Sequence, residues 1–161
     1  MKMYVLQVKS GREFPVCQKL RKSGISVYCP TMEILERRRG RLCGVERLVF
    51  PQYVFIECDL TDKNYRKIRK ISEVIKFLGA DSPEPLKPHE KEYVKILGND
   101  GKIIEPSGIS VSENGEKSVV SGILKQYQDK IVNLDPRNHR AKIELDLCGK
   151  KHTITLPVTT V

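Results

Sequence analysis

At 161 residues with 39% apolar side chains, the chain is long enough for one domain or two small ones and is expected to be globular. A formal charge of +9, from 29 Lys+Arg against 20 Asp+Glu, points to anionic partners, and most of the surplus lies in residues 1–98 (+8) rather than 99–108 (−1) or 109–161 (+2). Five cysteines without a CxxC pair or a His at ligand spacing argue against a zinc site or a disulfide framework. Lys2, Lys9 and Arg12 interrupt any signal core, and no stretch has the length of a membrane span, so a cytoplasmic, membrane-free protein with reduced thiols and no cofactor is expected.

In chain order, residues 3–8 are β-branched and apolar enough for a central strand, and Ser10 with Glu13 forms the pattern of a capping box for the next helix. Val16, Cys17 and Leu20 supply that helix's apolar face, Pro15 argues for a late or irregular start, and Ser23-Gly24 ends it. Val27, Tyr28, Ile34 and Leu35 belong to an extended segment that runs into Arg37, Arg38, Arg39 and Arg41, turns near Gly40 or Gly44, and returns as a strand over 48–58. The result is a long basic hairpin with an apolar base. Thr61 caps a short helix to Ile71, residues 74–78 form a strand, and residues 90–97 a last helix with Tyr93, Ile96 and Leu97 facing in and Gly98 as its stop. This order predicts an α+β sandwich with helices on a mostly antiparallel sheet.

Residues 99–108 are turn-rich and read as a linker. Beyond them, five short strands are predicted at 119–123, 130–134, 141–147, 151–156 and 158–161, which indicates a small β-barrel over 109–161. The alternation of Ala141, Ile143, Leu145 and Leu147 with Lys142, Glu144 and Asp146 suits a wall with one dry face.

Tyr4-Val5 opening a strand, Ser10-Gly11-x-Glu13 starting a helix, Cys29-Pro30, and Phe50-Pro51-x-Tyr53-Val54-Phe55 behind a basic hairpin together resemble the NGN domain of NusG-type transcription elongation factors. The run from Val120-Ser121-Gly122 through Lys130-Ile131, Asp135 and Arg140-Ala141-Lys142-Ile143 is similar to their KOW domain, a five-stranded SH3-like barrel. Two departures set this chain apart from the general factor of the family: Gln52 stands where a glycine usually follows Phe-Pro, and Asp129 where the second KOW glycine is usual. They favour a specialised paralogue similar to the LoaP group of antiterminators.

The resemblance implies a non-enzymatic factor whose NGN domain, residues 1–98, binds the clamp helices of RNA polymerase, with Tyr4, Phe50, Tyr53 and Phe55 as the docking residues. Lys9, Arg12, Arg37, Arg38, Arg39 and Arg41 are the candidates for phosphates of upstream DNA, a contact that carries no sequence information. In the barrel, Lys125, Arg137, Asn138, His139, Arg140 and Lys142 are the candidates for RNA, with Tyr127 beside Lys125. Family KOW domains also bind a small-subunit ribosomal protein or a termination factor, and both partner types stay open. A monomer is expected. The alternatives are a ribosome-associated RNA-binding KOW protein without polymerase contact, and an enzyme using Cys29 or Cys43 as nucleophile or His89 as base, against which stands the lack of any phosphate loop, paired carboxylates or nucleophile motif.

Overall fold

The apolar run near the N-terminus forms β1 (Lys2–Val8), one of two interior strands of a four-stranded sheet in which β2 (Ser26–Tyr28), β5 (Tyr53–Cys58) and β6 (Val74–Phe77) join it in the order β2-β5-β1-β6. The computed structural model describes residues 1–79 and 81–161. It divides into two units, one of Met1–Cys29 with Phe50–Gly101, the other of Pro30–Val49 with Lys102–Val161. All pairings in the first unit's sheet are antiparallel. Because cross-strand partners share a face, Tyr4 opposite Ile56 and Leu6 opposite Val54 look one way, and Val5 opposite Phe55 and Gln7 opposite Tyr53 look the other.

The first face is closed by α1 (Glu13–Lys22) through Val16, Cys17 and Leu20, and by Ile68 of α2 (Asp62–Arg69). The expected capping box is absent: α1 has no side-chain cap, and the Glu13 carboxylate instead accepts the Gln52 N–H at 3.1 Å. Glu13 is therefore buried as a brace between the helix start and the loop before β5. Pro15 lies in the first turn, where its missing donor is not needed. Thr61 caps α2 as expected, its Oγ1 accepting the Asn64 N–H at 3.2 Å.

The second face lies under α3 (Pro88–Gly98), whose Lys91 and Lys95 ammoniums reach the Glu57 carboxylate at 2.6 and 3.4 Å and hold it below its ordinary pKa. Val94 and Leu97 are its buried apolar side chains, so Tyr93 and Ile96 are less internal than expected. Gly98 is not the stop. Left-handed Asn99 (φ +50°) is, while a Cβ on Gly98 would stand 3.2 Å from the Tyr28 ring.

The second unit joins the basic hairpin to the barrel. Strands β3 (Thr31–Arg38) and β4 (Arg41–Leu48) pair in register around Arg39-Gly40, both at positive φ (53° and 77°), as a two-residue turn matched to strand twist requires. Within the stretch read as a linker, Ile104 bridges to the hairpin, donating to the Thr31 carbonyl and accepting from the Glu33 N–H, each at 2.8 Å.

The barrel strands are β7 (Ser107–Val111), β8 (Lys117–Val119), β9 (Ile131–Asp135), β10 (Arg140–Leu147) and β11 (Lys150–Thr160), in the order β8-β7-β11-β10-β9. The fold class is thus the expected one, an NGN-type α+β sandwich with a five-stranded KOW barrel, but three of the strand assignments change. Of residues 119–123 only Val119 is in a strand, as the end of β8, because Gly122 (φ +90°) presses against Ser107 and a 3-10 segment, Ile123–Lys130, follows. The missing strand is β7. The two predicted C-terminal strands are one, since β11 passes through Pro157 where it leaves β10 and begins pairing with β7, a place where a missing donor is tolerated. Asp129 lies in the 3-10 segment and is not among the positive-φ residues, so the glycine it replaces has no left-handed conformation to satisfy here.

Candidate polymerase-docking and nucleic-acid surfaces

The four predicted docking aromatics do not form one surface. Phe50 and Phe55 are 5% and 2% exposed and pack edge to face with ring centroids 5.1 Å apart; Tyr53, on the same strand face as Phe55, is half-buried. Tyr4, 8% exposed, sits on the opposite side of the sheet, edge-on to Phe77 at 6.4 Å. Phe77 in turn stacks on Tyr65 at 5.4 Å, and this row reaches the surface at Tyr65, 41% exposed. Tyr4 also borders a cavity of about 530 Å³ with Cys58, Asp59 and Leu60; burial, then the charges of Cys58 and Asp59, raise the pKa of its hydroxyl. Tyr65 is not evident as a surface ring from sequence, because its three-residue spacing with Ile68 and Ile71 marks a core face.

Gln52, the departure from glycine, adopts φ +71°. Its N–H is held by Glu13 and its carbonyl accepts the Val8 N–H at 2.8 Å, so the conformation that a glycine would take without cost is imposed on a glutamine by two hydrogen bonds.

The basic candidates behave differently. Arg37, Arg38, Arg39 and Arg41 lie toward the hairpin tip, all four exposed, and Glu36 ties Arg38 and Arg47 at 3.4 and 3.3 Å. Lys9 and Arg12 are exposed in the first unit. Lys19 nearby is bound to Glu73 at 2.8 Å, and that ion pair, with backbone and Ser72 hydrogen bonds, lowers the Glu73 pKa to about 2.

In the second unit, the turn between β9 and β10 faces the hairpin across a cleft of about 280 Å³. Leu35, Glu36, Arg37 and Leu42 line one side and residues 137–140 the other. Two predicted nucleic-acid elements, separated by about a hundred residues of chain, thus share one concavity. Asp135 shapes the turn, accepting the Asn138 N–H at 3.3 Å and its side-chain amide at 2.7 Å, bonds that keep its pKa below the usual range. His139 adopts φ +59°. His139 Nδ1 and one Arg140 guanidinium nitrogen are shut off from solvent and have no hydrogen-bond partner, a state that costs about 1–3 kcal/mol for each such group. Lys125 and Lys142 are exposed but do not line this cleft, and Tyr127, 2% exposed, is a barrel core residue rather than a loop contact.

The buried Cys17 thiol and the half-buried Cys29 thiol interact, and the hydrogen bond between them lowers the Cys17 pKa. The Cys29 thiol is pushed far up by its hydrogen bond to Cys17 and by burial, and Cys58 rises through burial. Among the described residues no three His, Cys, Asp or Glu cluster as a metal site, and no helix is long and apolar enough to cross a membrane.

A four-stranded sheet with helices on both faces and a small KOW barrel in the same chain define a two-module protein of the NGN-KOW class. The chain belongs to the NusG family, described as "Transcription termination factor nusG", which matches residues 1–95. It is 29% identical to the transcription termination/antitermination protein NusG of Vibrio vulnificus over 95% of this chain and 90% of that one, and 26% identical to the protein of that name from Rickettsia conorii over 95% and 85%. Among solved structures, one described as "Domain interaction in Thermotoga maritima NusG" shares the fold, with a TM-score of 0.60 and 23% identity over 98% of this chain and 93% of that chain.

Proposed function

We propose that this NusG-type factor binds RNA polymerase at the clamp helices through its N-terminal α+β module and promotes elongation through terminators, as a specialised paralogue acting on particular transcripts. The observation that carries the reading is the cluster Arg37, Arg38, Arg39 and Arg41 at the solvent-facing end of a hairpin on a protein of this family, a surface whose charge suits phosphate contact. Tyr53 is the docking contact, supported from within by the Phe50–Phe55 pair. The hairpin neutralises upstream DNA, with Lys9 and Arg12 as further phosphate contacts. The barrel engages RNA through residues 137–140, with Lys125 and Lys142 adding charge. Held across the polymerase cleft, such a factor disfavours the clamp opening that pausing and termination need, and no bond is made or broken.

The test is transcription in vitro through an intrinsic terminator, with and without the protein and with its native or a scrambled leader. Read-through is expected to rise with the native leader. Unchanged read-through on both leaders with folded protein, or failure to co-purify any polymerase subunit, would overturn the proposal.

A further inference from the structure

The cleft between the basic hairpin and the β9–β10 turn differs from the rest of the basic surface in being concave and part apolar. Flat clusters of arginine track the phosphates of a duplex from outside. A concavity of about 280 Å³ lies at the small end of ligand-sized pockets; it suits a single nucleoside and is far too narrow for paired strands. Its composition fits that occupant. Leu35 and Leu42 offer apolar surface and His139 a ring for the face of a base, while Arg37, Arg137 and Arg140 offer cationic donors for the phosphate on its sugar. Glu36 is the one carboxylate on the wall, and Arg38 and Arg47 already neutralise it. Arg37 and Arg137 are exposed on this wall, so a phosphate oxygen entering the cleft reaches their guanidinium donors directly.

We infer that this cleft is a binding site for one unstacked nucleotide of an unpaired nucleic-acid segment, base against Leu35, Leu42 and His139 and phosphate against Arg137 and Arg140. The inference rests on the reading of the protein as a nucleic-acid-contacting factor and narrows it. Unpaired nucleotides exist in two places around a transcribing polymerase, in loops of the transcript and in the displaced DNA strand, and the chemistry of the cleft is shared by both.

The experiment uses the full chain and four probes: an RNA stem closed by an unpaired loop carrying 2-aminopurine, single-stranded RNA and single-stranded DNA of the loop sequence, and a blunt RNA duplex of equal charge. Binding is followed by anisotropy and by 2-aminopurine fluorescence. The unpaired probes are expected to bind roughly tenfold tighter than the duplex, with the fluorescence of the loop base changing on binding. Leu42→Trp, at a side chain 44% exposed and so tolerated by the fold, fills the cleft and removes the preference while leaving duplex affinity unchanged. Arg140→Gln, checked for folding by its melting curve, weakens the unpaired probes selectively. A tighter RNA than DNA probe assigns the site to the transcript; equal or tighter DNA assigns it to the displaced strand. If the wild type binds duplex and unpaired probes alike, or Leu42→Trp keeps the preference, the cleft proposal is overturned and the broader reading stands. Absence of binding to every probe overturns the broader reading as well.

Discussion

The aromatic candidates of the first unit and the basic candidates of the second meet opposite fates. Phe50, Phe55 and Tyr4 are absorbed into cores on two different faces of one sheet, whereas Arg37, Arg38, Arg39, Arg41 and Arg137 stay out of any core, with Arg37 and Arg137 turned toward one cleft. An aromatic ring gains by burial, so a fold and a docking site compete for it, and the fold takes most of what is offered. A guanidinium has no such alternative use. Basic residues in a sequence therefore report surface more directly than aromatics report interfaces.

That contrast breaks most visibly at Phe55. Phe55→Ala removes a ring packed on Phe50 and is expected to cost about 3–5 kcal/mol in urea unfolding. On the proposed docking role, Tyr53→Ala is expected to cost within about 1 kcal/mol yet to abolish polymerase pull-down, with Tyr65→Ala on the opposite face as the control expected to retain it. Equal destabilisation by the Phe55 and Tyr53 changes would erase the distinction between core and contact. On the basic side, replacing Arg37, Arg38, Arg39 and Arg41 by Gln is expected to flatten the slope of log affinity against log salt by up to about 3.6, the value for four phosphate contacts, while the melting curve barely moves. A large loss of stability would mean that these arginines serve the fold.

Smaller effects sharpen the picture around Gln52. Glu13→Ala strips the Gln52 N–H of its charged acceptor and is expected to lower stability by about 1.5–3 kcal/mol. Gln52→Gly relieves the positive φ and raises stability by about 1 kcal/mol, read as an upward shift of the melting midpoint. The smallest effect is the pH response of Glu73. Its pKa is depressed from 4.5 to about 2 by Lys19, so its stabilisation is complete above about pH 4.5 and vanishes as pH falls through about 2. Glu73→Gln should flatten the stability profile across that acid window alone, and an unchanged profile would show that the exposed pair contributes nothing.

The elements that local pattern specifies are legible in the order of residues alone. The strand at 3–8, the cap at Thr61, the turn near Gly40 or Gly44 (found at Gly40) and the alternation from Ala141 to Leu147 follow from periodicity, capping and turn chemistry, all of which act over a few residues. The errors have a common origin. Ser10 and Glu13 carry the spacing of a capping box, but Glu13 finds a better partner 39 positions away in Gln52. Residues 119–123 carry strand composition, but the close approach of Gly122 to Ser107 turns the chain.

Apolar rhythm, turn residues and excess positive charge, written in consecutive positions, are enough to specify the fold class and a basic hairpin, and the resemblance carried by two linked segments points to the family. Which rings remain accessible, and that Leu35, Arg37 and Leu42 face residues 137–140 across a cleft, depends on contacts between segments far apart in the chain. Such contacts are chosen by the packing of whole elements, and no short window of residues carries the register that brings them together.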